Sequence, residues 1–93
     1  MKRNNPKRAE VMEQINFGAR LYRIRTRCGL RQDEVAMRMK TSPAQISQWE
    51  RGGIEPGISA VVCLAQIFGL TVGQMVGTEP ITKEDDFRLC MRF

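Results

Sequence analysis

Between Ser42 and Arg51 the chain sets hydroxyls, amides and a guanidinium around two apolar anchors. The stretch reads SPAQISQWER, and Ile46 and Trp49, three apart, mark the face of a helix that turns inward. Left outside are Ser42, Pro43, Ala44, Gln45, Ser47, Gln48 and Arg51. These groups form hydrogen bonds rather than break covalent ones. A glutamine amide carries a donor and an acceptor side by side, which matches the N6 and N7 edge of adenine. Gln45 and Gln48 are therefore the leading base-reading candidates. Pro43 and Ala44 suit a thymine methyl group, and Ser47 suits a base or a phosphate.

A helix that presents such groups must itself be held. Helix starts and stops are legible along the chain as caps, prolines and glycines. Phe17, Leu21, Ile24 and Cys28 repeat at helical spacing, with Asn16 as N-cap and Gly29 as stop. A second helix is expected from Gln32 to Met39, with Val35, Ala36 and Met39 inward. Ser42 caps the third, Pro43 stands at its first position, and Gly52-Gly53 end it. A fourth helix, after Pro56-Gly57, turns Val61, Val62, Leu64, Ala65 and Phe68 inward before Gly69. Thr71 caps a short fifth, Val72 to Val76, stopped by Gly77.

Both ends of the chain are more open. Residues 1–15 read as a basic N-terminal arm, with Lys2, Arg3, Lys7 and Arg8, or as an extra helix striped by Val11, Met12 and Ile15. Residues 78–93 form a C-terminal tail and candidate dimerisation segment. Thr82 followed by Lys83-Glu84-Asp85 resembles a helix start. Phe87, Leu89, Met91 and Phe93, however, alternate with Arg88, Cys90 and Arg92, which is strand periodicity. The alternation leans towards a strand paired with its copy in a second subunit, since a lone strand has no partner in an all-helical domain.

Ninety-three residues, 42% of them hydrophobic, can bury one modest core. Net charge is +5, unevenly spread: residues 1–40 hold eleven Lys/Arg against four Asp/Glu, and residues 41–93 hold four against six. A basic half of this kind points to a polyanion. No stretch is long and apolar enough to span a membrane, and the basic N-terminus lacks an apolar signal core, so a cytoplasmic location is expected. Three widely spaced cysteines and no histidine leave no metal-ligand pattern; reduced thiols acting as small hydrophobes are expected, with a redox role for Cys90 as the minor alternative. Without histidine, paired carboxylates or a phosphate loop, neither an enzyme nor a cofactor site is expected.

Residues 17–77 resemble the helix-turn-helix domain of the phage repressor and Cro family. The motif positions run in order as Arg25, Gly29-Leu30-x-Gln32, Ala36, Ile46, Glu50-x-Gly52, Pro56 and Leu64-Ala65. The resemblance implies an all-α, compact five-helix domain over residues 16–77. It implies an ion pair between Arg25 and Glu50, and close approach of the second and third helices at Ala36. It places the third helix in the major groove, so that Ala44, Gln45, Ser47 and Gln48 contact bases. Gln32, at the start of the second helix, falls where the family meets a phosphate. Arg31, Arg38, Lys40, Ser42 and Arg51 are further phosphate candidates.

Two departures stand out. Lys40 occupies a turn position where the family usually has glycine with positive φ, and Pro43 and Ala44 replace polar base-reading side chains. The function implied is a transcriptional regulator, most simply a homodimeric repressor on an inverted-repeat operator in double-stranded DNA. Two alternatives remain in view: an antitoxin that also binds a toxin partner, and a protein-interaction module that uses the fold without DNA.

Overall fold

The computed structural model describes residues 16–92 of the chain, with side chains described through Leu89. Six helices follow one another: α1 (Phe17–Arg27), α2 (Gln32–Met39), α3 (Pro43–Arg51), α4 (Ile58–Phe68), α5 (Val72–Val76) and α6 (Lys83–Arg92). The described residues contain no strand. The expected N-terminal arm or helix, residues 1–15, lies outside them.

The helix starts are chemical. Asn16 Oδ1 accepts from the Ala19 N–H at 3.2 Å, Ser42 Oγ from the Gln45 N–H at 3.2 Å, and Thr71 Oγ1 from the Gln74 N–H at 3.0 Å. Each satisfies one of the donors that a helix start leaves open. The stops are equally local. At Gly29, Lys40, Gly52 and Gly69 the backbone turns left-handed, and the next N–H reaches back to the carbonyl five residues before it. Lys40 is the one non-glycine residue with positive φ among the described residues, at +57°.

The core gathers one stripe from each helix. Leu21, Val35, Ile46, Leu64, Phe68 and Met75 are almost wholly excluded from solvent, and Ala36 and Ala65 are buried among them. Cys28 is buried among these side chains and Cys63 half-buried, both as free thiols. Val62 departs from expectation. The stripe of α4 that reaches the core is Leu64, Ala65 and Phe68 with Val61 at its edge, so Val62 falls with Ile58 on the opposite face.

The C-terminal segment corrects the strand leaning. Thr82 Oγ1 accepts from the Asp85 N–H at 3.1 Å, the Asp85 carboxylate accepts from the Thr82 hydroxyl at 2.8 Å, and a helix follows. Only Leu89 of the alternating set with a described side chain is buried, while Phe87 is 65% exposed. A strand would leave its backbone unpaired, whereas a helix pairs its own and still docks Leu89 with Ile81 on the core. Arg27 Nε and Nη2 donate to Asp86 at 3.0 and 2.6 Å, which fastens α6 to the end of α1. No described helix is long and apolar enough to cross a membrane.

Candidate nucleic-acid interface

Helix α3 is oriented from three sides. Ile46 and Trp49 sink into the core, at 0% and 7% exposure, and fix its rotation. At its C-terminal end Glu50 receives Arg25 from α1 in a two-pronged pair, Nε at 2.5 Å and Nη2 at 3.0 Å. The remaining Arg25 prong, Nη1, donates to the Leu30 carbonyl at 2.9 Å. Glu50's hydrogen bonds hold the Arg25 guanidinium above its ordinary pKa, against the opposing cost of burial. The third constraint is Gly18 on α1. A Cβ there would stand 2.5 Å from the Glu50 carbonyl oxygen and 2.6 Å from that of Trp49. Only a glycine lets α1 and the end of α3 come this close.

Held so, α3 turns Ala44, Ser47, Gln48 and Arg51 outward as one stripe, at the i, i+3, i+4, i+7 spacing of a single helix face. Within the stripe Ala44 and Arg51 are exposed and Ser47 and Gln48 half-buried; Gln45, beside it, is half-buried too, and Ser42 and Pro43 are exposed at the helix start. The one carboxylate of α3, Glu50, is turned in, with its side chain 5% exposed. The outer face is thus neutral to positive.

The phosphate candidates fall into two groups, one at each end of α2. Gln32, Ser47 and Arg51 line one groove of about 680 Å³ together with Tyr22, Arg23 and Thr26 of α1. Arg31 stands at the start of α2, exposed and paired with Asp33 at 3.3 Å and Glu34 at 3.5 Å. Arg38, Lys40 and Ser42 cluster at the other end, around the left-handed turn into α3.

Gln32 carries a contact the sequence did not announce. Its amide nitrogen donates to Glu50 Oε1 at 3.0 Å, so the side chain braces the Arg25–Glu50 pair as well as standing at a helix start. Its backbone N–H lies in the first turn, where no intrahelical acceptor exists. Gly18 and the α1 residues Tyr22 and Arg23 also border α3 without belonging to the motif positions. The signal for Gly18 was a glycine inside a well-patterned helix; for the other two it was their place opposite the Phe17–Leu21–Ile24 stripe.

The described residues hold no cluster of three or more acids and cysteines suited to a metal ion. The helix-turn-helix domain model matches residues 16–76, well over half of the chain. HTH-type transcriptional activator BcrR of Enterococcus faecalis is 27% identical over 67 residues, covering 72% of this chain and 33% of that protein. The chain spans about a third of that relative's length. No solved structure gives a significant match. A helix braced by Arg25, Gln32 and Gly18 and a family match across the same residues lead to one assignment: the chain belongs to the helix-turn-helix domain family.

Proposed function

We propose that this chain is a sequence-specific DNA-binding transcription regulator of the phage repressor and Cro kind, acting in the cytoplasm as a homodimeric repressor. The observation that carries the proposal is the acid-free outer stripe of α3, with Ala44, Ser47, Gln48 and Arg51 on a helix whose rotation is locked. In the major groove Gln48, Gln45, Ser47 and Ala44 meet base edges. Gln32, Arg31, Arg38, Lys40, Ser42 and Arg51 meet phosphates on either side and set the register. Family membership supports the reading, as does the BcrR relative, itself named a transcriptional activator.

One such helix reads only a few base pairs. Two copies about a two-fold axis, with recognition helices ~34 Å apart, recover affinity and specificity on an inverted repeat. Exposed apolar side chains support the pairing. Ile58 and Val62 of α4 are 84% and 38% exposed, Ile54 of the preceding loop 46%, and Val72 of α5 44%.

Phe87, exposed on α6, favours a second reading, in which the same regulator is an antitoxin whose C-terminal helix binds a toxin. Selection from random duplex DNA, followed by titration at several salt concentrations, tests the proposal. An enriched inverted repeat bound with a steep salt slope is expected. Weak binding with no preferred sequence would overturn it in favour of a protein-interaction module.

A further inference from the structure

The groove between α1 and α3 points to a second phosphate site. We infer that Arg23, with Arg51 and the Tyr22 hydroxyl, takes a DNA backbone phosphate beyond the one met at the start of α2. The inference rests on the DNA-binding reading and adds α1 to its contact surface.

The distribution of bonded cations carries it. Most arginines of the described residues are engaged within the protein. Arg20 donates to the Gln74 and Met75 carbonyls, Arg25 to Glu50, and Arg27 to Asp86; Arg31 pairs with Asp33 and Glu34, and Arg88 with Asp85. Arg23 and Arg51 have no carboxylate partner among the described residues, and both line the same groove. Among the described residues Arg51 spends only its Nε, on the Ser47 carbonyl at 3.4 Å, and keeps both terminal nitrogens.

The groove's own acid does not answer these charges. Glu50 is already held by Arg25 on one side and Gln32 on the other. Two guanidiniums therefore face one groove without a counter-charge, and such a site takes an anion. The Tyr22 ring lies 5.4 Å from the Arg25 guanidinium carbon, which orients it, and the residue remains 54% exposed. Its hydroxyl is then available as a donor. Thr26 is not, because its hydroxyl proton is committed to the Tyr22 and Arg23 carbonyls at 2.8 and 3.1 Å.

Position selects the anion. Gln32 and Ser47 border the same groove, so it continues the surface on which α2 and α3 meet DNA. Arg23 stands on the crest of α1 and also borders a second groove, floored by Ile24, Ile81 and Leu89. Of the acids there, Asp86 binds Arg27 and Glu79 accepts from the Thr71 hydroxyl at 2.8 Å; neither is paired with Arg23.

The experiment titrates the selected duplex and a random duplex with wild type, Arg23→Ala, Tyr22→Phe and, as a control outside the groove, Lys83→Ala. Arg23→Ala should weaken both duplexes alike, about three- to tenfold at 50 mM salt, and reduce the salt slope by about 0.9. Tyr22→Phe should weaken both with no change in slope, and Lys83→Ala should bind as wild type. Duplexes carrying one neutral methylphosphonate each would locate the contact: one flanking position should weaken wild type and leave Arg23→Ala unaffected. If wild type binds with a steep slope and Arg23→Ala matches it, the second site is refuted while the DNA-binding reading stands. If wild type binds no duplex, both fall, and an acidic protein segment becomes the partner for this groove.

Discussion

Gln48 stands on the outward stripe of α3 between Ala44 and Arg51, on a face that no carboxylate shares. In the proposed docking, an amide at that place would discriminate between base edges and contribute little to overall charge attraction. Gln48→Ala should therefore cost ~1–3 kcal/mol of discrimination at one base position, with the salt slope nearly unchanged. Equal weakening on specific and random DNA would remove it from the base-reading set. Lys40 makes the opposite kind of trade. It holds φ +57° at a helix end where Gly29, Gly52 and Gly69 perform the same turn without a Cβ. The left-handed conformation costs a non-glycine residue ~1 kcal/mol. Lys40→Gly should raise the unfolding midpoint by roughly 4–8 °C, read by calorimetry, if it relieves that cost in a domain of this size. The same variant should reduce the salt slope by about one, because the turn faces the phosphate side of α2 in the proposed docking.

Helix α1 carries more than a core stripe. Through Gly18 and Arg25 it sets where α3 ends and which way α3 faces. Gly18→Ala gains up to ~1 kcal/mol of helix propensity but drives a methyl into two backbone carbonyls that cannot rotate away. Overpacking of this kind costs typically ~1–3 kcal/mol, so a net loss of stability is expected, with weaker DNA binding from a displaced α3. A more stable variant in urea titration would show that α1 and α3 can part without harm.

Helix α6 is held by different means. The Thr82 hydroxyl, then Gln74 and Arg88, keep the Asp85 carboxyl below its usual range, and Arg27 does the same for Asp86. Depressed pKa values mean that the ionised forms favour the docked helix. That contribution is fully present above the unfolded value of about 3.9 and is lost as pH falls through the lower folded values. Undocking of α6 is therefore expected below about pH 4, with the helix seated at pH 5 and above. The Leu89 methyl resonances report it; if they hold their folded shifts down to global unfolding, the acids do not fasten the helix.

At the scale of the whole molecule, the proposed function asks one surface to bind DNA and another to pair with a second copy. The α3 stripe is polar, and the exposed apolar side chains Ile54, Ile58 and Val62 follow it in the chain. Since Ile58 and Val62 sit one turn apart on α4, a second copy could cover them together. Ile58→Glu is expected to shift a homodimer to monomer in sedimentation, and to weaken an inverted repeat far more than a half-site. Because Ile58 is largely exposed in the single chain, stability of the fold should be unchanged. An intact dimer would move the interface to Val72 or to α6.

The local decisions of this fold were legible in the residues. Asn16, Ser42 and Thr71 start helices, and Gly29, Gly52, Gly69 and Gly77 stop them, because caps and left-handed turns depend on a residue and its immediate neighbours. The inward positions Leu21, Val35, Ile46 and Leu64 followed from helical period alone. Tertiary structure decided what depends on partners distant in the chain. The alternation of Phe87, Leu89, Met91 and Phe93 suits a strand, but the described residues offer no sheet edge to receive one, and Thr82 with Asp85 could start a helix that docks Leu89. Val62 was apolar and correctly spaced, yet the angle at which α4 meets the core left it outside. That Gly18 admits the end of α3, and that Gln32 braces Glu50, depend on distances between helices that no local pattern encodes.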